Sequence, residues 1–427
     1  MPSRQGRVSR LGLDLLFYAM GLTFAIGCAV ASEFYGYRIW GNAAAPAYLL
    51  AAAHTAICLC RPLPGRWSSR WVPVAISAVG AIAVPLGYLV VRRSPSFVWG
   101  PWPWSFPAQP EVWVVERAAR LWRDTGSPYL NLDLLDRQPI PDDYTPYGPT
   151  MSLFGLPRAL FGDSPLTDAR LWFLIGAAVA VAAAWWVARR DRTATPTVGA
   201  AELLAVSPLT ALTLVVAGDD VVVVGLIALL VAVGYRANPL LAGVIAALAL
   251  TVKLTALPAV AVVAVGVVAA RGIKAFAGFA AALIAGTAVI VLPVLVSNPS
   301  MFVEHVVMFP AGLGRAQSPA ASPLPGHLIA MTGPIGHAVA LILLATAAVA
   351  VAGWVLRRPP RTAADATLRI AVGLGAAIAL APATRFGYLV YPVALLGVML
   401  GFRAVDRATP PVTTSSSSSS HRRGPAT

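Results

Sequence analysis

Charge is scarce in this chain. Only 12% of its 427 residues are charged and 58% are hydrophobic. A water-soluble domain carries about twice that charge share, so an ordinary soluble fold is excluded. Lysine is scarcer still: Lys253 and Lys274 are the only two, and every other side-chain cation at neutral pH is an arginine. A net charge of +14 can signal nucleic acid. Here the cations cluster in short stretches between apolar blocks, which is a topology signal, and no nucleic-acid partner is expected. The three cysteines, Cys28, Cys58 and Cys60, lie in apolar blocks. Cys58 and Cys60 point to different helix faces, with no disulfide or metal spacing. His305 and His327 are too isolated to argue for zinc. No dinucleotide fingerprint or Walker-type loop is present. No metal or other cofactor is expected.

What is abundant is apolar length. Blocks near bilayer-spanning length recur from Leu11 into the 400s, which predicts an all-α integral membrane protein. Twelve spans are expected, at about 11–32, 44–60, 72–91, 169–188, 199–217, 221–235, 239–252, 254–270, 275–296, 336–356, 366–381 and 386–402. Arg4, Arg7 and Arg10 precede an apolar run longer than a signal-peptide core, so it reads as a retained first helix. With the N-terminus cytoplasmic, the arginine-rich loops fall on that side and most acids fall on the other, as positive-inside requires. Splitting 239–270 at Lys253 is what keeps the alternation intact. The expectation is a single membrane domain over 1–402 in the plasma membrane, with both termini cytoplasmic. Residues 403–427, with a serine run, read as a disordered tail.

The extracytoplasmic loop at 92–168 opens with "SFVWGPWPWSFP". This is either an interfacial aromatic belt or a wall for a lipid or sugar. A helix follows near 110–124. Pro110 suits its first position, and Glu111 suits the positive end of its dipole. Val112, Val115, Ala119 and Trp122 share a face, Glu116 and Arg120 are spaced as an i,i+4 pair, and Gly126 ends the helix. An interfacial helix lying on the membrane is predicted. The segment 145–162, broken by Pro and Gly, reads as re-entrant or interfacial.

Several charges then gather on the outer side. Lys253, inside "LALTVKLTALPAV", either snorkels or binds an anion. Asp219 and Asp220 either pair with a cation such as Lys253 or cap the next helix. Arg315, His327, Arg385 and Tyr388 lie at the same level, and arginine suits phosphate. A carboxylate facing several cations is what sugar transfer from a lipid phosphate needs: a base for the acceptor hydroxyl and cations for the leaving phosphate.

"EVWVVERAARLWRDTGSPY", "YTPYGP", "AGDDVVVV", "LLAGVIAALALTVKLTALP" and "PATRFGYLVYP" occur in an order that resembles glycosyltransferase family 87 of the GT-C superfamily, in particular its actinobacterial members. The resemblance covers roughly 105–400, with helices 1 and 2 as an addition before it. It implies an inverting enzyme that takes a sugar, notably mannose, from a polyprenyl-phosphate donor to a cell-envelope lipid or lipoglycan acceptor. Glu111 stands where the family carries an aspartate base and reaches one methylene further. Asp142 and Asp143 are the other candidate bases. Lys253, Arg385 and Arg315 would hold the donor phosphate. Asp219, Asp220, His327 and Tyr388 would support the site. The competing expectations are a polytopic transporter or lipid flippase, and a non-catalytic partner in envelope assembly.

Overall fold

The computed structural model describes residues 4–61, 63–93, 106–190 and 194–408. Among them the chain is helical with no strand, and the sheet-type contact is an isolated bridge between Ala321 and Thr384. The tryptophans at 99, 102 and 104 and the tail beyond 408 lie outside the described residues.

Helices α1 (Arg4–Ala31) and α2 (Tyr35–Cys60) form an N-terminal hairpin. Helix α2 starts nine residues before the expected 44. Arg38, inside the added turns, folds back onto the Ser32 and Glu33 carbonyls at 3.1 and 2.7 Å. Next come α3 (Trp71–Arg93), with a π-type turn at Val79–Ala83, and α4 (Pro110–Thr125). They are followed by α5 (Ala169–Ala188) and α6 (Val198–Val216). The second half holds α7 (Asp219–Arg236), α8 (Pro239–Val252), α9 (Leu257–Ser297), α10 (Pro334–Arg357), α11 (Ala363–Leu380) and α12 (Val390–Arg407). Helix α12 therefore continues through 403–407, which the sequence assigned to the tail.

Each of the expected apolar segments is helical, but the number able to cross is smaller. Nine helices among the described residues are long and apolar enough to span a membrane. Helix α7 carries Asp219, Asp220 and Arg236, and α8 has only 14 residues. The segments expected at 254–270 and 275–296 form one 41-residue element broken at Gly272, whose φ of 79° is left-handed backbone that side chains disfavour. Arg271, just before that break, donates to the Ala237 and Tyr235 carbonyls at 2.7 and 3.1 Å and so finishes the end of α7.

Helix α7 is the axis of the bundle. Fourteen of its 18 residues are buried, as expected of a helix that is apolar on every side between its charged ends. It lies against α5, α8, α9, α11 and α12. Its first turn, with the α8–α9 hinge and the start of α12, forms one end of the molecule.

Candidate active site

Helix α4 was expected to rest on a membrane surface. Instead Val112, Val114, Val115, Glu116, Ala118 and Ala119 are buried in protein. Glu116 does not pair with Arg120, which is exposed. Its carboxylate accepts from Arg93 at 2.8 and 2.5 Å and from the Ala169 N–H at 3.1 Å, and lies 3.3 Å from Arg158 Nε. Arg93 also donates to Asp168 at 2.9 Å. Asp168 in turn takes Arg170, whose guanidinium reaches the Pro107 and Val215 carbonyls at 2.8 and 3.1 Å. A surface i,i+4 pair is worth a few tenths of a kcal/mol. A buried, multiply bonded carboxylate instead fixes how α4 sits on α3, α5 and α6.

That fixed seat places Glu111. The Gln109 N–H, just before α4, donates to the Val216 carbonyl at 2.9 Å, bringing the first turn of α4 to the α6–α7 turn. Arg385 Nη1, just before the turn Phe386–Leu389 that leads into α12, donates to Glu111 Oε1. Glu111 Oε2 is buried with no hydrogen-bond partner among the described residues. The pair is partly open, the side chains being 20% and 32% exposed.

Lys253 lies at the hinge between α8 and α9 and does not snorkel. Its ammonium donates to Asp219 at 2.9 Å and Asp220 at 2.5 Å, so the two acids are counter-ions to the lysine. The Tyr391 hydroxyl donates to Asp220 at 2.6 Å, and Thr255 lies 2.9 Å from that hydroxyl. The rings of Tyr147 and Tyr388 flank the ammonium at 5.2 and 5.5 Å. Both tyrosines lie within electrostatic reach of Glu111 as well as Lys253, so the two ion-pair groups form one cluster. Tyr37 of α2 also reaches the Glu111–Arg385 pair.

The loop between α4 and α5 is pinned into this cluster. The Gly148 N–H donates to the Val252 carbonyl at 3.2 Å. Thr150 meets Thr251 at 2.7 Å, and a Cβ on Gly148 would sit 2.2 Å from the Thr251 carbonyl oxygen. Only glycine allows so close an approach. His305 holds the same loop from the other side. The Thr145 N–H donates to its Nδ1 at 2.9 Å, so its Nε2 carries the hydrogen that goes to the Leu130 carbonyl at 2.9 Å. Burial holds this imidazole down at about 4.

The remaining expected residues divide. Asp142 lies within reach of Arg117 and Arg385; burial raises its carboxyl above the ordinary range against the pull of those two cations. Asp143 is committed elsewhere. Burial works to raise it, but Arg137 at 2.6 Å and the Ile140 N–H at 2.8 Å outweigh that and hold it low. Arg315 is not gathered in. Its side chain is bonded to Asp133 at 2.6 Å and its N–H to Glu304 at 2.9 Å. His327 donates from Nδ1 to the Pro382 carbonyl at 2.7 Å and so steadies the loop that carries Arg385. Among the described residues no group of His, Cys, Asp and Glu is arranged to hold a metal ion. Tyr37 and Tyr147 were not foreseen. Tyr147 lay inside "YTPYGP", where aromatic rings next to a lone lysine would have been the signal; nothing in the sequence pointed to Tyr37.

A bundle of apolar helices that gathers three carboxylates, two cations and a ring of tyrosines at one end has the build of a polytopic membrane enzyme. The particular kind follows from comparison with known proteins. The family model "Glycosyltransferase family 87" matches residues 144–383, more than half of the chain, and the chain belongs to that family. It is a membrane glycosyltransferase. Glu111 precedes the matched range and Arg385 follows it by two residues. No curated protein and no solved structure matches the chain.

Proposed function

We propose that this glycosyltransferase moves a sugar, mannose foremost, from a polyprenyl-phosphate donor to a hydroxyl of a cell-envelope lipid or lipoglycan. The reaction takes place on the extracytoplasmic side of the plasma membrane and inverts the anomeric centre. The reading rests on one observation: Glu111 has one oxygen held by Arg385 and the other buried with no hydrogen-bond partner among the described residues.

Glu111 Oε2 takes the proton from the acceptor hydroxyl. The acceptor oxygen bonds to the anomeric carbon while the bond from that carbon to the phosphate oxygen breaks. The electron pair leaves with the phosphate, and polyprenyl phosphate departs. Arg385 binds that phosphate with the fork of its guanidinium, which has donors beyond the one on Glu111. Before donor binds, the cluster holds three carboxylates (Glu111, Asp219, Asp220) against two cations (Lys253, Arg385). During transfer Glu111 loses a negative charge as the phosphate gains one. The total stays constant, and Arg385 follows the charge from one to the other. Lys253 was expected on the phosphate; since two aspartates already match its ammonium, its role is to hold α7, α8 and α9 around the site. Asp142 is the alternative base, on the strength of its place beside Arg117 and Arg385.

The test is transfer from radiolabelled polyprenyl-phosphate mannose to a lipid acceptor by purified protein. Wild type forms labelled glycolipid, and Glu111→Gln, folded as judged by gel filtration, is slowed roughly 10²–10⁴-fold. A Glu111→Gln enzyme at full rate with an inactive Asp142→Asn would move the base to Asp142. No transfer by wild type from any polyprenyl-phosphate sugar would end the donor assignment.

A further inference from the structure

A groove of about 490 Å³ lies along α10 and is lined by Val349, Ala350, Gly353, Trp354, Arg357 and Arg358. These positions recur at i, i+1, i+4, i+5, i+8 and i+9, so they form one helix face about 13 Å long. Small apolar residues fill one end, Trp354 the middle, and two arginines the other. A Cβ on Gly353 would meet nothing within 4 Å, so the groove is open there. The arginine end is remote from the Glu111 cluster. Helix α10 begins beside the His327–Pro382 contact that steadies Arg385, and it runs 24 residues, about 36 Å, to Arg357.

The arginine end is built on fixed backbone. Arg369 stacks on Trp354 at 4.9 Å, pairs with Asp365 at 3.0 Å and donates to the Arg358 carbonyl. The Tyr235 hydroxyl donates to the Pro360 carbonyl at 3.1 Å, tying the following turn to the end of α7. Asp365, the acid facing this turn from α11, is engaged by Arg369. Arg357 and Arg358 are both exposed and have no carboxylate partner among the described residues.

We propose that this groove binds one anionic glycerophospholipid, with its phosphate between Arg357 and Arg358 and an acyl chain over Val349, Ala350 and Gly353. Charge complementarity selects the occupant. Two guanidinium forks with no carboxylate partner among the described residues match a phosphodiester. Trp354 stands between the two arginines and the apolar trough, the order expected of an indole at the edge of the hydrocarbon. A zwitterionic head carries its own cation and gains less from the arginines, and a free phosphate leaves the trough empty. The site is independent of the chemistry at Glu111.

The experiment is thermal unfolding of the full-length protein in detergent, with phosphatidylglycerol, phosphatidylcholine or inorganic phosphate added in turn. Phosphatidylglycerol is expected to raise the midpoint saturably, and the other two to leave it unmoved. Its apparent affinity falls about fivefold for each of Arg357→Ala and Arg358→Ala. Gly353→Leu, which fills the trough and leaves both charges, abolishes the shift. An equal shift with phosphatidylcholine or with phosphate alone overturns the proposal, as does a Arg357→Ala/Arg358→Ala variant that keeps the wild-type response.

Discussion

Removing the Lys253 ammonium tests the centre of the structure. Lys253→Met keeps an unbranched side chain, one atom shorter, and leaves Asp219 and Asp220 at 2% and 7% exposure without the lysine counter-ion. At 2.9 and 2.5 Å, each contact is worth about 6 kcal/mol in gross Coulomb energy at an effective dielectric near 20, before desolvation is subtracted. Breaking such a buried pair from one side costs roughly 3–5 kcal/mol net, because the abandoned charges stay buried. Replacing the acids as well, in Lys253→Met/Asp219→Asn/Asp220→Asn, removes those charges and should recover most of the loss. The Tyr391 hydroxyl can still donate to an amide oxygen at position 220. The assay is thermal unfolding in detergent at a fixed scan rate, since proteins of this kind unfold irreversibly. Lys253→Met with the wild-type midpoint would refute the reasoning, as would a triple variant no more stable than Lys253→Met.

Other outcomes follow from the same geometry. Arg385→Lys keeps the charge and loses the fork, so donor KM should rise about tenfold in the transfer assay while the fold survives. Gly148→Ala drives a methyl into the Thr251 carbonyl and should cost at least about 1–3 kcal/mol, read as a lower unfolding midpoint. His305 is neutral when folded, with its imidazole held at about 4 against an ordinary 6.5. The unfolded chain therefore binds the extra proton first as pH falls. Its contribution, up to about 3 kcal/mol, is complete above pH 6.5 and fades as pH drops toward 4. Unfolding midpoints measured from pH 7 to pH 4 should fall more steeply in wild type than in His305→Gln. Glu116→Gln should weaken the seat of α4, lowering kcat through the position of Glu111 more than it changes donor KM.

Helix positions were the most legible part of the fold. Helices α5 and α8 begin and end where apolar length and the arginine loops said they would, because burial in lipid or protein demands unbroken apolar runs. Boundaries failed where a charge sat inside a helix. Helix α2 begins at Tyr35 and not at 44, with Arg38 inside it bonded to the preceding turn, and Glu116, expected to pair with Arg120 on an interfacial helix, is held by Arg93 and Arg158 in the interior. In each case a partner makes the charged residue compatible with its helix, nearby carbonyls for Arg38 and arginines from across the fold for Glu116, and a one-dimensional pattern cannot show that partner.

The candidate site divides the same way. Composition and spacing alone determined a helical membrane protein and drew attention to Asp219, Asp220, Lys253, Arg315, His327 and Arg385 on one side, because ionisable groups among so many apolar residues are costly unless used; Glu111 was singled out by the family resemblance. Tertiary structure decided which of them meet. Lys253 chose the two aspartates, since a buried ammonium satisfies its donors with the nearest acids, and Arg385 was left to Glu111. Arg315 found Asp133 instead. Those choices depend on helix ends brought together from positions up to 274 residues apart. Glu111 becomes a candidate base only because α4 is clamped by Arg93 and Arg158 with one carboxylate oxygen lacking a partner among the described residues.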